Sequence, residues 1–284
     1  MHRINALLST GERSYGLIER IIMNPAPTPG ATQLTVDLHD RVALVAGAGR
    51  GIGAATARTL ASTGAAVVCG ARSQDELDAL VKEIEEAGGE ATGVCVDIAD
   101  PDSVEGLVQA AVDQYGRLDL AFNNAGAHAE GPLHELTIED FDRVVHVNLR
   151  GMFVCLKHEI SAMLSSGGGA IVNTASVGGV IGEKFISPYV ASKHGVVGLT
   201  KAAALDYADR NIRANCLAPG ATRTRMLLDW LDNDEMMEMI VGKTPLGRLA
   251  DPQEIANVAV FLLSDAASFV TGATYLADGG LVVP

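Results

Sequence analysis

The chain has 284 residues, 48% hydrophobic and 20% charged, with 31 Gly and 10 Pro, a composition that excludes a disordered or collagen-like protein. Lys and Arg number 21 against 35 Asp and Glu, and the net charge of −14 repels a nucleic-acid backbone and an anionic membrane surface, so neither is an expected partner. The four cysteines, Cys69, Cys95, Cys155 and Cys216, are widely spaced without a CxxC pair, which indicates neither a zinc site nor a disulfide framework and fits a cytoplasmic, reducing setting.

Residues 1–35 read as an N-terminal extension, flexible or partly a gene-calling artefact, with Met23 as an alternative start. Pro25-Ala26-Pro27-Thr28-Pro29-Gly30 cannot propagate a helix or a central strand. Glu12 and Glu19 interrupt any signal-peptide core, and no apolar run approaches the roughly 18 residues of a membrane span. From Arg41 onward, short β-branched runs alternate with longer helical ones. Strands are expected at 41–47, 65–70, 90–97, 118–124, 169–176, 212–219 and 273–279, and helices at 52–63, 73–87, 101–115, 138–164, 188–209 and 252–264. Near-continuous apolar strands joined by helical crossovers predict an α/β fold over residues 36–284. The expected architecture is a single Rossmann-type, doubly wound domain, a seven-stranded parallel sheet with helices on both faces. The segment from about 222 to 247 departs from the alternation, and its Met- and Leu-rich stretch, with Trp230 as a candidate substrate contact, reads as a lid.

Directly after the first strand stands Gly47-Ala48-Gly49-Arg50-Gly51-Ile52-Gly53, followed by a helical stretch. Glycines there permit a tight turn, close approach of backbone to a pyrophosphate, and tight helix-to-sheet packing, while the helix N-terminus offers N–H donors to an anion. Tyr189 and Lys193 lie at i and i+4 on one face of an expected helix, and Ser176 ends the fifth strand. In an open α/β sheet, ligands collect at that carboxyl edge.

These motifs, with AGAGRGIG at 46–53, CVDI at 95–98, NNAG at 123–126, Asn148, Ser176, YVASK at 189–193, APGATRT at 218–224 and LADGG at 276–280, resemble the short-chain dehydrogenase/reductase family from about residue 38 to the C-terminus. Within it the chain is similar to the 3-oxoacyl reductase and glucose dehydrogenase-like branch. It departs from the family at Ala46, where a Thr usually precedes the first glycine.

The resemblance implies an NAD(P)-dependent oxidoreductase acting on a small-molecule secondary alcohol or ketone, with Asn148, Ser176, Tyr189 and Lys193 as its catalytic set. Hydride reduction of a ketone leaves an alkoxide that needs a proton, which Tyr189 would donate. An unperturbed phenol, with a pKa of roughly 10, is a slow base in the reverse direction, so Lys193, helped by the positive charge of an oxidised nicotinamide, is expected to lower it, and two to three pH units would correspond to roughly 3–4 kcal/mol. Ser176 would hydrogen-bond the substrate oxygen, Lys193 the nicotinamide ribose, and Asn148 a water linking Lys193 to solvent. Gly47, Arg50, Gly51, Ile52 and Gly53 would cradle the pyrophosphate. Asp97 and Ile98 would meet adenine, Asn124, Ala125 and Gly126 the adenosine ribose, and Pro219, Gly220, Thr222 and Thr224 the carboxamide side.

NADP(H) is the expected cofactor, with NAD(H) possible. The second strand ends VVCGARS, placing Ala71 where NAD users carry an acid and Arg72 beside it, with Arg50 able to reach the same 2′-phosphate. If NAD(H) were preferred instead, Asp75 or Glu76 would become the ribose acceptor. The rival readings are a 3-oxoacyl-[acyl-carrier-protein] reductase and a non-catalytic nucleotide sensor. The stretch SAMLSSGGGA at 161–170 carries no charge with which to hold an acidic carrier, and no member of the catalytic set is missing. His128, His134, His146, His158 and His194 lack a mutual metal-ligand spacing. Small residues Ala191, Gly195, Gly198, Ala202, Ala203 and Ala204 along one helix predict close helix–helix contact in a homotetramer.

Overall fold

The computed structural model of the protein describes residues 36–230 and 234–283, so the extension expected at 1–35 lies outside the described residues. Seven strands form one parallel sheet: β1 (Val42–Ala46), β2 (Ala66–Ala71), β3 (Glu90–Cys95), β4 (Leu120–Asn123), β5 (Gly169–Thr174), β6 (Ile212–Pro219) and β7 (Thr274–Ala277). Their order across the sheet is β3-β2-β1-β4-β5-β6-β7. Chain direction across the sheet reverses between β1 and β4, which opens a crevice at their carboxyl ends.

Nine helices surround the sheet: α1 (Gly51–Ser62), α2 (Gln74–Glu86), α3 (Pro101–Tyr115), α4 (Ile138–Val145), α5 (Gly151–Ser166), α6 (Ser187–Tyr207), α7 (Arg225–Trp230), α8 (Asp234–Lys243) and α9 (Pro252–Leu263), counted among the described residues. Val42–Ala46 is buried at every position, as a strand covered on both faces must be. One face packs Leu60, Leu77, Leu80 and Ile255 against Val45, Val67 and Phe122. The other packs Val104, Leu107, Leu156 and Val196 against Leu44, Val68 and Ile171. Two apolar layers on one sheet make the doubly wound architecture that the alternating pattern predicts.

Local signals set the helix ends. Asp100 caps α3 by accepting from Asp102 N at 3.2 Å, with Pro101 at the first turn, and Asp251 with Glu254 forms a capping box on α9. Helix α1 differs, because Arg50 at its N-cap makes no side-chain cap and its first turn holds no acidic residue.

One expectation needs correction. Residues 138–164 are not one helix, because His146–Arg150 adopts a π-helical turn between α4 and α5. Within the expected insert at 222–247, the described residues include the helices α7 and α8. The third, fourth, fifth and seventh strands also stop two or one residues earlier than the sequence pattern suggests, at Cys95, Asn123, Thr174 and Ala277. Beyond them the backbone turns to other partners: Asn124 N and Ala125 N both donate to Ala46 O, at 2.8 and 3.1 Å, instead of extending the ladder.

Candidate active site

Strand β5, helix α6 and the π turn deliver Ser176, Tyr189, Lys193 and Asn148 to one place at the carboxyl edge of the sheet. Ser176 caps a short 3-10 turn, Val177–Gly179, by accepting from Gly178 N at 3.1 Å, which fixes its hydroxyl beside Tyr189. Lys193, one helical turn after Tyr189 and 3% exposed, donates from Nζ to Thr174 O at 2.7 Å and lies 5.6 Å from the centroid of the Tyr189 ring.

Asn148 is fully buried in the π turn. Its Nδ2 donates to Ala127 O at 2.8 Å and to Ser192 Oγ at 3.0 Å, and its Oδ1 accepts from Ala127 N at 2.7 Å. Ser192 in turn donates to Tyr189 O at 2.7 Å. Asn148 therefore ties the NNAG segment to the helix that carries Tyr189 and Lys193, and both of its amide hydrogens are committed to protein. π turns recur at functional sites because they displace a side chain out of helical register.

The electrostatics differ from the expectation of a lowered tyrosine. Burial pushes the Tyr189 phenol above its ordinary value; the hydrogen bond with Ser176 pulls against this and the charge of Glu183 adds to it. Burial also lowers the Lys193 ammonium to about 8, the nearby Cys216 opposing weakly. Burial is the largest influence on both groups in the chain by itself, whereas the expected lowering counts on the charge of a bound oxidised nicotinamide as well.

The glycine turn forms a cradle. Gly47 and Gly51 have φ of +86° and +58°, which favour glycine, and a Cβ on Gly53 would fall inside the Gly47 carbonyl. The uncapped α1 N-terminus, including Ile52, opens onto this turn. Thr224 reaches it from the far side, since a Cβ on Gly51 would lie 3.1 Å from Thr224 Cγ2. Thr224 thus stands over the glycine turn while its backbone N donates to Thr222 O at 2.7 Å. Gly220 N donates to Ala277 O at 3.0 Å, and the buried Thr222 donates to Gly220 O at 3.0 Å.

Asn124 donates to Gly47 O at 3.4 Å and accepts from Thr174 Oγ1 at 3.3 Å, linking β1, β4 and β5, and Ala125 N sits where a Cβ on Gly47 would be. A Cβ on Gly126 would be 3.5 Å from Asn148 Oδ1 and 3.9 Å from Lys193 Nζ, so a larger residue there would crowd both. Asp97 is exposed and accepts from Ala99 N at 2.9 Å, whereas Ile98 is buried, with both its side chain and its carbonyl oxygen against Gly151.

Arg72 is exposed beside Ala71, while Arg50 pairs with Glu76 at 3.4 Å. Glu76, at the start of α2, closes against the glycine turn, because a Cβ on Gly49 would touch both its carboxylate and Ala71 Cβ. The sequence alone gave Glu76 a role only under NAD(H) preference and gave none to Glu183, Thr174 or Ser192. The Trp230 side chain lies outside the described residues, so its expected substrate contact has no structural account.

A family model described as enoyl-(acyl carrier protein) reductase matches residues 47–282. A cyclohexanol dehydrogenase from Acinetobacter sp. (strain SE19) is 47% identical over 242 residues, covering 85% of this chain and 94% of that protein. Among solved structures, a short-chain type dehydrogenase/reductase from Mycobacterium marinum matches with a TM-score of 0.84 at 35% identity, covering 87% of this chain and 98% of that one. An actinorhodin polyketide ketoreductase variant with NADPH matches with a TM-score of 0.82 at 39% identity, covering 86% of this chain and 98% of that one.

Proposed function

The chain belongs to the short-chain dehydrogenase/reductase family, and from that premise we propose that it transfers a hydride between NADP(H) and a small secondary alcohol or ketone, with Tyr189 as general acid and base. The observation that carries this reading is the meeting of Ser176 with the Tyr189 phenol above a buried Lys193, at the sheet edge beside the uncapped N-terminus of α1.

The residues present fit a nicotinamide dinucleotide. The cradle is one that a Cβ on Gly53 would fill, and free N–H groups at a helix start suit a pyrophosphate. When bound, the nicotinamide ring supplies or accepts the hydride. Gly47, Gly51, Ile52 and Gly53 hold the phosphates by backbone, Thr224 closes the cradle, and Asn124, Ala125, Gly126, Asp97 and Ile98 line the adenosine side. Pro219, Gly220 and Thr222 shape the opposite wall.

Ser176 donates to the substrate oxygen and fixes it within reach of Tyr189. Tyr189, whose phenol is protonated at neutral pH and is raised further by burial, holds the proton that a developing alkoxide needs. In the oxidation direction the same phenol must first lose that proton, which the Lys193 charge favours. Lys193 also reaches the ribose. Asn148 keeps Lys193 and Tyr189 in register and offers its remaining Oδ1 lone pair to a water.

The family model's description also raises an acyl-carrier reductase. The uncharged stretch 161–170 and the net charge of −14 favour a free small ketone over an acidic carrier protein. A spectrophotometric panel of ketones, alcohols and an acyl-carrier thioester, run with each nicotinamide, tests the reading. Turnover confined to the thioester would replace it with the carrier reading.

NADP(H) preference rests on Arg50 and Arg72 beside Ala71. A 2′-phosphate would draw Arg50 from Glu76. One charge-assisted hydrogen bond, at roughly 1.5–3 kcal/mol, corresponds to about tenfold or more. Ala71→Asp with Arg72→Ile is expected to shift kcat/KM towards NAD(H) by at least about that factor, by added repulsion as well as lost attraction. A wild-type protein that already prefers NAD(H) would transfer the ribose role to Glu76.

We read the chain as a homotetramer. The small residues of α6 divide: Ala203 and Ala204 are buried and Gly195 packs on Leu149, while Ala191, Gly198 and Ala202 stay exposed on one face. That face supports a close helix contact between copies. Light scattering at micromolar concentration should give four times the chain mass, and a monomeric mass would end the proposal.

A further inference from the structure

The 3-10 turn after Ser176 leads into residues 180–186, and Glu183 of this stretch folds its carboxylate back over Gly178. A Cβ on Gly178 would lie 2.7 Å from Glu183 Oε2, 3.6 Å from Ser176 Oγ and 3.6 Å from Tyr189 Cε1. The carboxylate, the serine hydroxyl and the tyrosine ring therefore surround one point that glycine leaves empty. Although residue 183 is exposed overall, its carboxyl is desolvated enough to be held above the usual carboxylate range, with Lys243 at the end of α8 acting the other way. Among the described residues no donor hydrogen-bonds to it.

Water satisfies this exposed carboxylate in the free protein, but a substrate seated against Ser176 and Tyr189 displaces that water and must offer a donor in its place. Lys243 already provides a countercharge, so the missing group is a neutral donor rather than a second cation. We propose that Glu183 is a substrate-binding residue that accepts a hydrogen bond from a second hydroxyl, vicinal or 1,3 to the carbon oxidised or reduced at Tyr189. The substrate class is then a diol or hydroxy ketone. This rests on the reading of Ser176 and Tyr189 given above.

The test compares kcat/KM for cyclohexanol with that for cyclohexane-1,2-diol and cyclohexane-1,3-diol in wild type, Glu183→Ala and Gly178→Ala. The first variant removes the acceptor from an exposed loop. The second displaces it, because the new Cβ meets only the far end of the flexible Glu183 side chain at close range. Melting temperatures check that both variants fold. The ratio of the better diol to cyclohexanol is expected to fall by at least about tenfold in Glu183→Ala and in the same direction in Gly178→Ala. Equal changes for diols and cyclohexanol in both variants would overturn the assignment, as would a wild type that oxidises cyclohexanol and neither diol or that oxidises none of the three. Activity that survives Tyr189→Phe would instead remove the reading beneath it.

Discussion

Tyr189→Phe is expected to lower kcat by at least about a hundredfold while leaving the melting temperature nearly unchanged. The substitution removes one oxygen and keeps the ring that lies 5.6 Å from Lys193 Nζ. The backbone bond from Ser192 to Tyr189 O, and with it the link to Asn148, does not involve the lost hydroxyl. What disappears is the proton at the end of the phenol, so the loss belongs in kcat and not in cofactor affinity. Wild-type turnover by this variant on the best ketone found would refute the assignment of Tyr189.

The second large effect concerns stability and lies inside the core. Glu159 on α5 is fully buried, and burial raises its carboxyl to about 7, with the hydrogen bond from Asn123 opposing. Asn123 Nδ2 donates to Glu159 Oε2 at 2.9 Å and to Asn173 Oδ1 at 3.0 Å, and Asn173 donates to Thr200 Oγ1 at 2.9 Å. Among the described residues, Asn123 Oδ1 and Glu159 Oε1 are both buried acceptors without a donor. A proton on Glu159 turns one of its oxygens into a donor and relieves that deficit.

The folded value lies above the ordinary 4.5, so the native state holds this proton more tightly than the unfolded chain does. Its stabilising contribution is full below pH 4.5 and is lost as pH rises through about 7. At 1.36 kcal/mol per unit, the loss is on the order of 3 kcal/mol. Glu159→Gln keeps the shape and an N–H donor without titrating. The stability of the wild type relative to this variant should fall between pH 5 and pH 7.5, measured by denaturant unfolding across that range. Parallel curves would show that Glu159 does not carry the proton.

The fold was legible because its signals are local and repeat. Apolar strand runs, caps such as Asp100-Pro101 and the glycines at 47, 51 and 53 each act within a few residues. The residues assigned to chemistry were legible by type and spacing, Tyr189 and Lys193 above all. Other features depend on contacts between distant segments. Glu76 meets Arg50 across the gap between α2 and the glycine turn, and Glu183 folds over Gly178, beside Ser176 and Tyr189, only because Gly178 has no side chain. Nothing local marks Glu159, because the amide that receives it, Asn123, lies on β4 and is itself braced by Asn173 on β5. The burial that raises the Tyr189 phenol and lowers the Lys193 ammonium in the chain alone could not be read from spacing, because desolvation depends on what covers both groups.

The π turn at His146–Arg150 also acts as a phase shifter. At about 100° per residue, one uninterrupted helix would spread Ile138, Phe141 and Phe153 over an arc of about 120°. One residue more in a single turn sets the following helix back by about 100°, which brings Phe153 between the directions of the other two. All three side chains are exposed, at 76%, 46% and 54%. An inserted residue thereby gathers scattered apolar groups into one narrow outward ridge, while its own turn sends Asn148 inward to the site. A single local irregularity in the winding serves the interior and the outer surface together.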